Sequence, residues 1–215
     1  MMGTLRVTEI FYSLQGEARS VGQPTVFVRL TGCPLRCSYC DTAYAFSGGE
    51  LLGINQVLDH VAQWKPRFVC VTGGEPLAQP ESKLLLSRLC DAGYEVSLET
   101  SGALSLEGVD GRVSRVMDLK TPSSGEVGRN LFQNLPLLTR HDQVKFVIGS
   151  LADYLWAKSQ LQMHSIDTKV GDVLFSPVHG VMDPGQLAEW ILRDHLPVRL
   201  QLQLHKLLWA DARGR

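Results

Sequence analysis

The sequence predicts an α/β protein in which parallel strands form a partial (β/α)6 barrel, with a cysteine-rich loop after the first of those strands. Two observations support this fold class. Short apolar, β-branched runs alternate with segments of helical periodicity, which is typical of a parallel sheet with right-handed crossovers. The chain has 215 residues, fewer than the roughly 250 that a closed eight-unit barrel takes. About six strand–helix units fit this length.

Seven runs are predicted to be strands because they are rich in β-branched and aromatic residues and are bounded by turn residues. They occupy residues 25–30, 68–72, 94–99, 115–120, 143–148, 172–176 and 198–204. Since chemistry in such folds is carried by the carboxyl ends of the strands, the residues that follow each run are expected to meet at one rim.

Four segments are predicted to be helices. In the first, apolar residues recur with the spacing of one helix face, at Ile54, Val57, Leu58, Val61 and Ala62. The second ends before Gly93, a residue type that commonly terminates helices. The third begins with a Ser150 cap, and the fourth begins with Asp183 as its cap and Pro184 in its first turn.

Two long stretches, residues 32–53 and 121–142, contain no clear helix or strand pattern. Loops of that length are usually functional or mobile. The chain has no internal repeat, low-complexity tract or linker, so residues 1–215 are predicted to form one domain.

The composition indicates a globular protein that acts on a small molecule. Hydrophobic residues make up 44% and charged residues 20% of the chain, and no apolar run is long enough to span a bilayer. Residues 1–11 lack the basic and apolar segments of a secretory signal, so we expect a cytoplasmic protein with reduced thiols. With a net charge of -1 and no basic block, neither nucleic acid nor a membrane is an expected partner.

Three of the five cysteines, Cys33, Cys37 and Cys40, lie within eight residues directly after the first predicted strand. A structural zinc site or a fully ligated iron–sulfur cluster needs four ligands. The triplet therefore implies either a distant fourth ligand or a coordination position left open. A zinc site completed by a remote histidine is the alternative, although no nearby histidine has the usual spacing. Cys70 and Cys90, in apolar surroundings, are interpreted as buried free thiols.

Polar, glycine-rich turns follow the next strands along the chain. GGEP occupies residues 73–76, ETSG occupies residues 99–102, and the following run ends at Lys120. Each feature alone has an ordinary explanation as a tight turn, a helix cap or a surface lysine. Gathered at one rim, they would surround a cavity with a carboxylate, hydroxyls and backbone amides.

Together with these turns, the cysteine spacing resembles that of the radical S-adenosylmethionine enzymes. In that family three cysteines hold a [4Fe-4S] cluster, and the fourth iron is left for S-adenosylmethionine, which accounts for the open position. The resemblance implies that Cys33, Cys37 and Cys40 are the cluster ligands. It further implies a set of cofactor-binding residues: Tyr39, Cys40, Asp41, Gly73, Gly74, Glu75, Gly102, Lys120 and Lys145.

The stretch EIFYSLQGEA, before the cysteines, narrows the resemblance to the 7-carboxy-7-deazaguanine synthase family of queuosine and 7-deazapurine biosynthesis. It departs from the family pattern at Ala18, and the later QLHK departs from it at Leu204. The implied reaction is a radical ring contraction of 6-carboxy-5,6,7,8-tetrahydropterin that releases ammonia. The implied substrate-binding residues are Leu14, Gln15, Gly16, Arg29, Thr100, His205 and Arg215.

Arg29 and Thr42 have specific roles under this resemblance. A planar guanidinium binds a carboxylate through two hydrogen bonds, and the implied substrate carries a carboxylate. The family uses the hydroxyl at the position of Thr42 as a ligand of Mg²⁺, an ion that prefers oxygen ligands. The resemblance also implies a homodimer and an external one-electron reductant of the flavodoxin kind.

Two other functions compete with this interpretation. A glycyl-radical-enzyme activase shares the cysteine motif and a DLK segment like that at residues 118–120, but the SLQGE stretch matches the synthases. An iron–sulfur electron carrier would need four cysteines per cluster and no GGEP turn.

The C-terminal segment, residues 203–215, is expected to dock rather than to hang free. Leu207, Leu208 and Trp209 would pack against the barrel, because large apolar side chains are stabilised by burial. That docking would bring His205 and the terminal carboxylate of Arg215 to the substrate. The alternative for the last five residues is a frayed end.

Overall fold

The computed structural model describes residues 3–210 and 212–215, which form a nine-stranded sheet with helices packed against it. The strands are β1 (Thr4–Leu14), β2 (Pro24–Leu30), β3 (Glu50–Gly53), β4 (Phe68–Gly73), β5 (Glu95–Thr100), β6 (Ser114–Leu119), β7 (Gln143–Ile148), β8 (Asp172–Pro177) and β9 (Arg199–Leu200). Their order across the sheet is β3-β1-β2-β4-β5-β6-β7-β8-β9.

The sheet is mostly parallel, as predicted. Strands β2 and β4 to β9 run parallel to their neighbours, whereas β1 pairs antiparallel with both β2 and β3. The six predicted runs from residue 25 to residue 176 coincide with β2 and β4 to β8 within one or two residues. The prediction of an α/β fold with a partial barrel of parallel strands is therefore confirmed.

Three parts of the sheet differ from the prediction, and one of them, β3, lies in the stretch at 32–53 for which no element was predicted. Strand β1 was not expected, since its alternation is interrupted by an irregularity between Val7 and Glu9 and much of it is only half-buried. The run at 198–204 was expected to be a full strand, but only Arg199–Leu200 pairs with β8. The chain leaves the sheet there because Leu204 N–H donates to Gly16 O at 2.9 Å, a tertiary contact that overrides the β-type alternation.

Six α-helices lie within the described residues: α1 (Ile54–Ala62), α2 (Ser82–Asp91), α3 (Leu151–His164), α4 (Ile166–Lys169), α5 (Pro184–Arg193) and α6 (Leu204–Trp209). The predicted caps form. Ser150 accepts from Asp153 N–H at 3.2 Å, and Asp183 accepts from Gly185 N–H at 2.9 Å. Gly93 follows α2 with φ +87°, a conformation that costs glycine little. None of the described helices combines the length and apolarity needed to cross a bilayer.

The two long stretches without predicted elements are largely irregular but packed. Residues 32–53 contain a 3-10 turn at Ala43–Phe46 and end in β3. Residues 121–142 contain three further 3-10 turns, at Pro122–Ser124, Val127–Arg129 and Phe132–Leu137. The stretches meet where Ser38 N–H donates to Ser124 O at 3.0 Å, so each stretch helps to fix the other.

The core fixes the strands whose ends carry the site. Phe146 on β7 and Phe175 on β8 pack edge to face, with ring centroids 5.5 Å apart, and Tyr154 of α3 covers them at 6.1 Å from Phe175. Burying a large apolar side chain contributes about 1.5–3 kcal/mol. The Tyr154 hydroxyl donates to Trp190 O at 2.8 Å, so its polar end is satisfied. The strand ends are thereby held in a rigid frame.

Candidate active site

A cavity of about 700 Å³ opens at the carboxyl ends of the parallel strands. Its wall is built from the β1–β2 loop, the cysteine loop, the ends of β4 to β7 and the C-terminal segment. The structure brings most of the predicted site residues to this wall: Leu14, Gln15, Gly16, Arg29, Cys33, Cys37, Tyr39, Cys40, Asp41, Thr42, Gly73, Gly74, Thr100, Lys120, Lys145, His205 and Arg215. Glu75 and Gly102 lie behind the wall.

The cysteine loop places three free thiols, those of Cys33, Cys37 and Cys40, on the cavity wall. Burial raises the pKa of Cys33 and Cys37. Across residues 3–210 and 212–215, no three histidine, cysteine or carboxylate side chains are grouped tightly enough to hold one metal ion. A [4Fe-4S] cluster takes its thiolates on different irons and accepts a wider spacing. The loop therefore fits a cluster better than a single ion.

The turn after β4 lies directly against the cysteine loop, and only glycine fits there. A Cβ atom on Gly73 would lie 2.3 Å from Leu30 O, and one on Gly74 would lie 2.2 Å from Gly32 O. Gly74 N–H donates to Leu30 O at 3.1 Å, and Glu75 N–H donates to Gly32 O at 2.8 Å. The two glycines thus bring the backbone of β4 beside the loop that carries the thiols.

Glu75 is fully buried and does not face the cavity. Its carboxylate accepts from Leu77 N–H at 3.0 Å, from Thr100 Oγ1 at 2.9 Å, and from the Ser101 backbone and hydroxyl at 2.7 and 2.5 Å. These hydrogen bonds tie the end of β4 to the end of β5, and the assignment of Glu75 to cofactor binding stays a prediction.

Gly102 is buried next to that network, with φ +69°, and a Cβ atom there would lie 2.8 Å from Met117 Cγ. It was expected to approach the cofactor. In the structure its carbonyl oxygen is hydrogen-bonded within the protein, since Gly102 O accepts from Leu131 N–H at 3.1 Å. The glycine is required by packing against β6.

Glu17 and Lys145 form an ion pair across the cavity floor that the sequence did not reveal. The Lys145 ammonium donates to Glu17 Oε2, and Gln203 Nε2 donates to Glu17 Oε1 at 2.8 Å. Burial disfavours both charges, but the pairing outweighs it, so the pKa of Glu17 is lowered and the pKa of Lys145 is raised. Lys145 was predicted as a cofactor-binding residue, and in the structure its ammonium group pairs with the Glu17 carboxylate.

Glu99, the first residue of ETSG, is a second acidic residue that the sequence analysis left without a role. It lines the cavity, and its carboxyl makes no hydrogen bond or ion pair with any residue that the structure describes. Burial, reinforced by the nearby Glu17 and Asp118 charges and opposed by Lys145, raises its pKa to about 8. Its surroundings therefore favour the protonated carboxyl group over the carboxylate.

Asp118 and Lys120, at the end of β6, form another nearly buried ion pair, with 2.9 Å between Lys120 Nζ and Asp118 Oδ2. Burial disfavours the ammonium, but Asp118 outweighs this and the pKa of Lys120 is raised. Asp118 Oδ1 is buried without a hydrogen-bond partner among the described residues. An unpartnered acceptor on a cavity wall is a position for a ligand donor.

Asp41 and Thr42 follow the last cysteine of the loop. The Thr42 hydroxyl donates to Asp41 Oδ1 at 2.6 Å. Burial raises the pKa of Asp41, but the Thr42 hydrogen bond and the Lys145 charge lower it more, so the net shift is downward. The pair supplies several oxygen atoms at one edge of the cavity.

The C-terminal segment closes the cavity through its polar residues. Leu204 N–H donates to Gly16 O at 2.9 Å. The His205 ring packs closely on Gly16, because a Cβ atom added to Gly16 would lie 2.2 Å from His205 Nδ1. Burial lowers the pKa of His205. The prediction that Leu207, Leu208 and Trp209 pack against the barrel is wrong for the two leucines, because Leu207 is 64% and Leu208 is 49% exposed, whereas Trp209 is half-buried. The backbone and polar contacts hold the segment instead.

The fold and the site together define a class of enzyme. A parallel α/β sheet whose first parallel strand leads into three free cysteines at the rim is the arrangement of the radical S-adenosylmethionine enzymes, and the Radical SAM superfamily model matches residues 27–119. The crystal structure of QueE from Escherichia coli superimposes with a TM-score of 0.77 over 94% of this chain and 95% of that one, at 23% identity. That likeness establishes the fold.

Sequence identity to curated relatives shows which family within this class the chain belongs to. A 7-carboxy-7-deazaguanine synthase from Chlorobaculum tepidum is 48% identical over 98% of this chain and 97% of its own length. Another from Koribacter versatilis is 42% identical over 96% of this chain and 97% of its own length. The chain belongs to the 7-carboxy-7-deazaguanine synthase family of radical S-adenosylmethionine enzymes.

Proposed function

We propose that the protein converts 6-carboxy-5,6,7,8-tetrahydropterin into 7-carboxy-7-deazaguanine and ammonia. The observation that carries this proposal is the composition of one cavity: its lining combines the three cysteines with the Arg29 guanidinium and the half-buried carboxyl groups of Glu17 and Glu99. The substrate and the two products have the same total composition, so the conversion needs no net oxidation. The names of the full-length relatives support the same activity.

The cofactor side of the cavity is formed by the cysteine loop and the turn after β4. Cys33, Cys37 and Cys40 would hold the [4Fe-4S] cluster, and the close approach of Gly73 and Gly74 leaves their backbone free of side chains beside it. When bound, the cluster and S-adenosylmethionine supply a 5′-deoxyadenosyl radical that removes a hydrogen atom from the substrate and returns it. The assignments of Tyr39, Asp41, Lys120 and Lys145 to the cofactor rest on their positions on the cavity wall. Those of Glu75 and Gly102 rest on the family resemblance alone.

The substrate side is formed by β2, the β1–β2 loop and β5. Arg29 would bind the substrate carboxylate through its terminal amino groups. Glu99, whose pKa is raised by burial, would donate a proton to the departing amine and then accept one from the substrate, which restores its acid form. Leu14, Gln15, Gly16, Thr100 and His205 would complete the contact surface, with Arg215 at its edge.

We propose Thr42 as a Mg²⁺ ligand, with substrate oxygens and water completing the shell, because its hydroxyl and the Asp41 carboxylate lie at the cavity edge. Titration of Mg²⁺ against turnover tests this assignment.

We also propose that the enzyme is a cytoplasmic homodimer reduced by an external one-electron donor. Size-exclusion chromatography with light scattering tests the oligomeric state.

The proposed reaction is tested by reconstituting the cluster anaerobically, adding dithionite, S-adenosylmethionine and the carboxytetrahydropterin, and following the product by mass and ultraviolet absorption. Cys33→Ala is expected to lose the cluster and all turnover, because a cluster ligand is removed. Cys90→Ser, which changes a thiol outside the cavity, is the matched control and is expected to retain iron. Cleavage of S-adenosylmethionine without pterin conversion would instead indicate a different substrate, such as the protein substrate of an activase.

A further inference from the structure

Arg29 is held at one end and left open at the other. Its Nε–H donates to Glu9 Oε1 at 2.7 Å, whereas its two terminal amino groups make no hydrogen bond with any residue that the structure describes. The side chain is only 16% exposed and lines the cavity. Unpaired N–H groups at such a site are positioned to bind a ligand acceptor.

Two aromatic rings flank the guanidinium. Its central carbon lies 5.7 Å from the centroid of Phe11 and 5.9 Å from the centroid of Tyr44. The Tyr44 hydroxyl donates at 2.8 Å to the same Glu9 oxygen that binds Arg29. Burial raises the pKa of Tyr44 to about 12, so this hydroxyl keeps its proton and remains a donor. One carboxylate oxygen therefore fixes both the arginine and the ring beside it.

The C-terminal segment reaches the same group. The guanidinium carbon of Arg213 lies 4.3 Å from the Tyr44 ring centroid, which is within the range of a cation–π contact. Tyr44 is thus held by Glu9 through its hydroxyl and by Arg213 through its ring face. Neither Glu9 nor Tyr44 lines the cavity, so both act on a ligand only through Arg29.

We propose that Glu9 and Tyr44 are positioning residues that present the two terminal amino groups of Arg29 to the substrate carboxylate. The proposal rests on the proposed function, because it assigns Arg29 a carboxylated substrate. A bidentate guanidinium–carboxylate pair depends on its geometry, and a side chain fixed before binding loses less rotamer freedom when the ligand arrives. Glu9 also offsets part of the positive charge of Arg29, which weakens the attraction of Arg29 for the substrate carboxylate. The effect of removing Glu9 shows whether its positioning of Arg29 or this charge effect contributes more to substrate binding.

The test compares Glu9→Gln, Glu9→Ala and Tyr44→Phe with the wild type, using the cluster-loaded enzyme with S-adenosylmethionine. The dissociation constant is measured for 6-carboxytetrahydropterin and for tetrahydropterin without the carboxylate. We expect Glu9→Ala to weaken binding of the carboxylated pterin about tenfold or more, the effect of losing a charged hydrogen bond. Glu9→Gln keeps an acceptor for Nε–H and should recover part of this loss, and Tyr44→Phe should cost about two- to fivefold. Binding of the tetrahydropterin should stay unchanged in all three variants.

Turnover gives a second readout, in which KM rises and kcat stays near the wild-type value, since positioning acts on substrate binding. Glu95→Gln is the matched control, because Glu95 also accepts from an arginine Nε, that of Arg67 at 2.6 Å, in an exposed pair away from the cavity. Tyr12→Phe is the matched tyrosine control. Neither control should change either dissociation constant.

Equal weakening of both pterins, or tighter binding of the carboxylated pterin by Glu9→Gln, would overturn the positioning role. Tyr44→Phe leaves the packing intact, so the proposal stays testable if Glu9→Ala fails to fold. Failure of the wild type to convert the carboxytetrahydropterin would count against the proposed function, whereas conversion by the wild type with unchanged variants would count against the positioning role alone.

Discussion

Glu75 and Glu99 belong to neighbouring strand ends and to similar glycine-containing motifs, yet the protein uses them in opposite ways. Four donor groups surround the carboxylate of Glu75, which is completely buried. Glu99 has no hydrogen-bond partner among the described residues and faces the cavity. A carboxylate satisfied by the protein maintains the site, whereas one left unsatisfied is available for chemistry.

Replacing Glu75 should have the largest effect, because Glu75→Gln removes a charge from four converging donors and turns an amide group toward them. We expect the free energy of unfolding to fall by about 3 kcal/mol or more, since buried donors lose their acceptor. Urea denaturation of the purified chain measures this. A variant as stable as the wild type would show that the network is dispensable and would remove the contrast with Glu99.

Replacing Glu99 should leave stability and remove activity. Glu99→Gln keeps the shape and an N–H donor but cannot exchange a proton, so we expect kcat to fall by about 100-fold while the unfolding free energy does not decrease. Steady-state kinetics and urea denaturation of the same preparation test both halves of this prediction. Wild-type kcat in the variant would restrict Glu99 to a hydrogen-bonding role.

The pH dependence of stability should also distinguish the two residues. The pKa of Glu99 is raised from 4.5 in the unfolded reference to about 8 in the folded chain, so between these values the folded chain holds a proton that the unfolded chain releases. The contribution of Glu99 to stability is therefore lost as pH rises through about 8. Relative to Glu99→Gln, the wild type should become progressively less stable from about pH 5 to about pH 8. Urea denaturation of both proteins at a series of pH values measures this difference in unfolding free energy. The charged groups that face Glu99, namely Lys145, Glu17 and Asp118, are present in both proteins, so their own titration largely cancels in the comparison.

A smaller effect is expected from Ser101→Ala, which removes one of the donors to Glu75, and the smallest from Glu95→Gln. The loss should be about 1 kcal/mol, or a fall in melting temperature of about 2–4 °C for a chain of this size. Glu95→Gln, which breaks an exposed ion pair on the same strand as Glu99, should cost about 0.5 kcal/mol or less. Thermal denaturation ranks the two, and a larger loss from Glu95→Gln would contradict the ranking by burial.

Features encoded by local sequence could be predicted. The parallel strands, the caps at Ser150 and Asp183, and the cysteine triplet each depend on residues close together in the chain, and each lies where the sequence indicated. The strand expected at 198–204 is mostly absent because the backbone of Leu204 is hydrogen-bonded to Gly16, a residue far away in the sequence, and not to β8. Strand β1 was missed because its burial pattern does not alternate cleanly.

The roles of acidic residues could not be predicted in the same way. Glu75 and Glu99 occupy comparable positions in their motifs, and only the three-dimensional arrangement shows which one meets Thr100 and Ser101. The partner of Lys145 is Glu17, 128 residues away, so no local pattern could pair them. Burial and partner identity, which set the pKa of a carboxyl group, emerge only when the strands assemble.

The contact between Gln203 and Glu17 joins positions 186 residues apart, and this separation affects when the enzyme becomes competent during synthesis. The loop at 14–17 emerges from the ribosome long before its partners in the C-terminal segment. Contacts of such long range form late, because the entropy of closing the intervening chain is lost before the contact is gained. The cysteine loop and the turn after β4 can be completed earlier in translation. A nascent chain would therefore acquire its cluster-binding loop well before it can enclose a pterin.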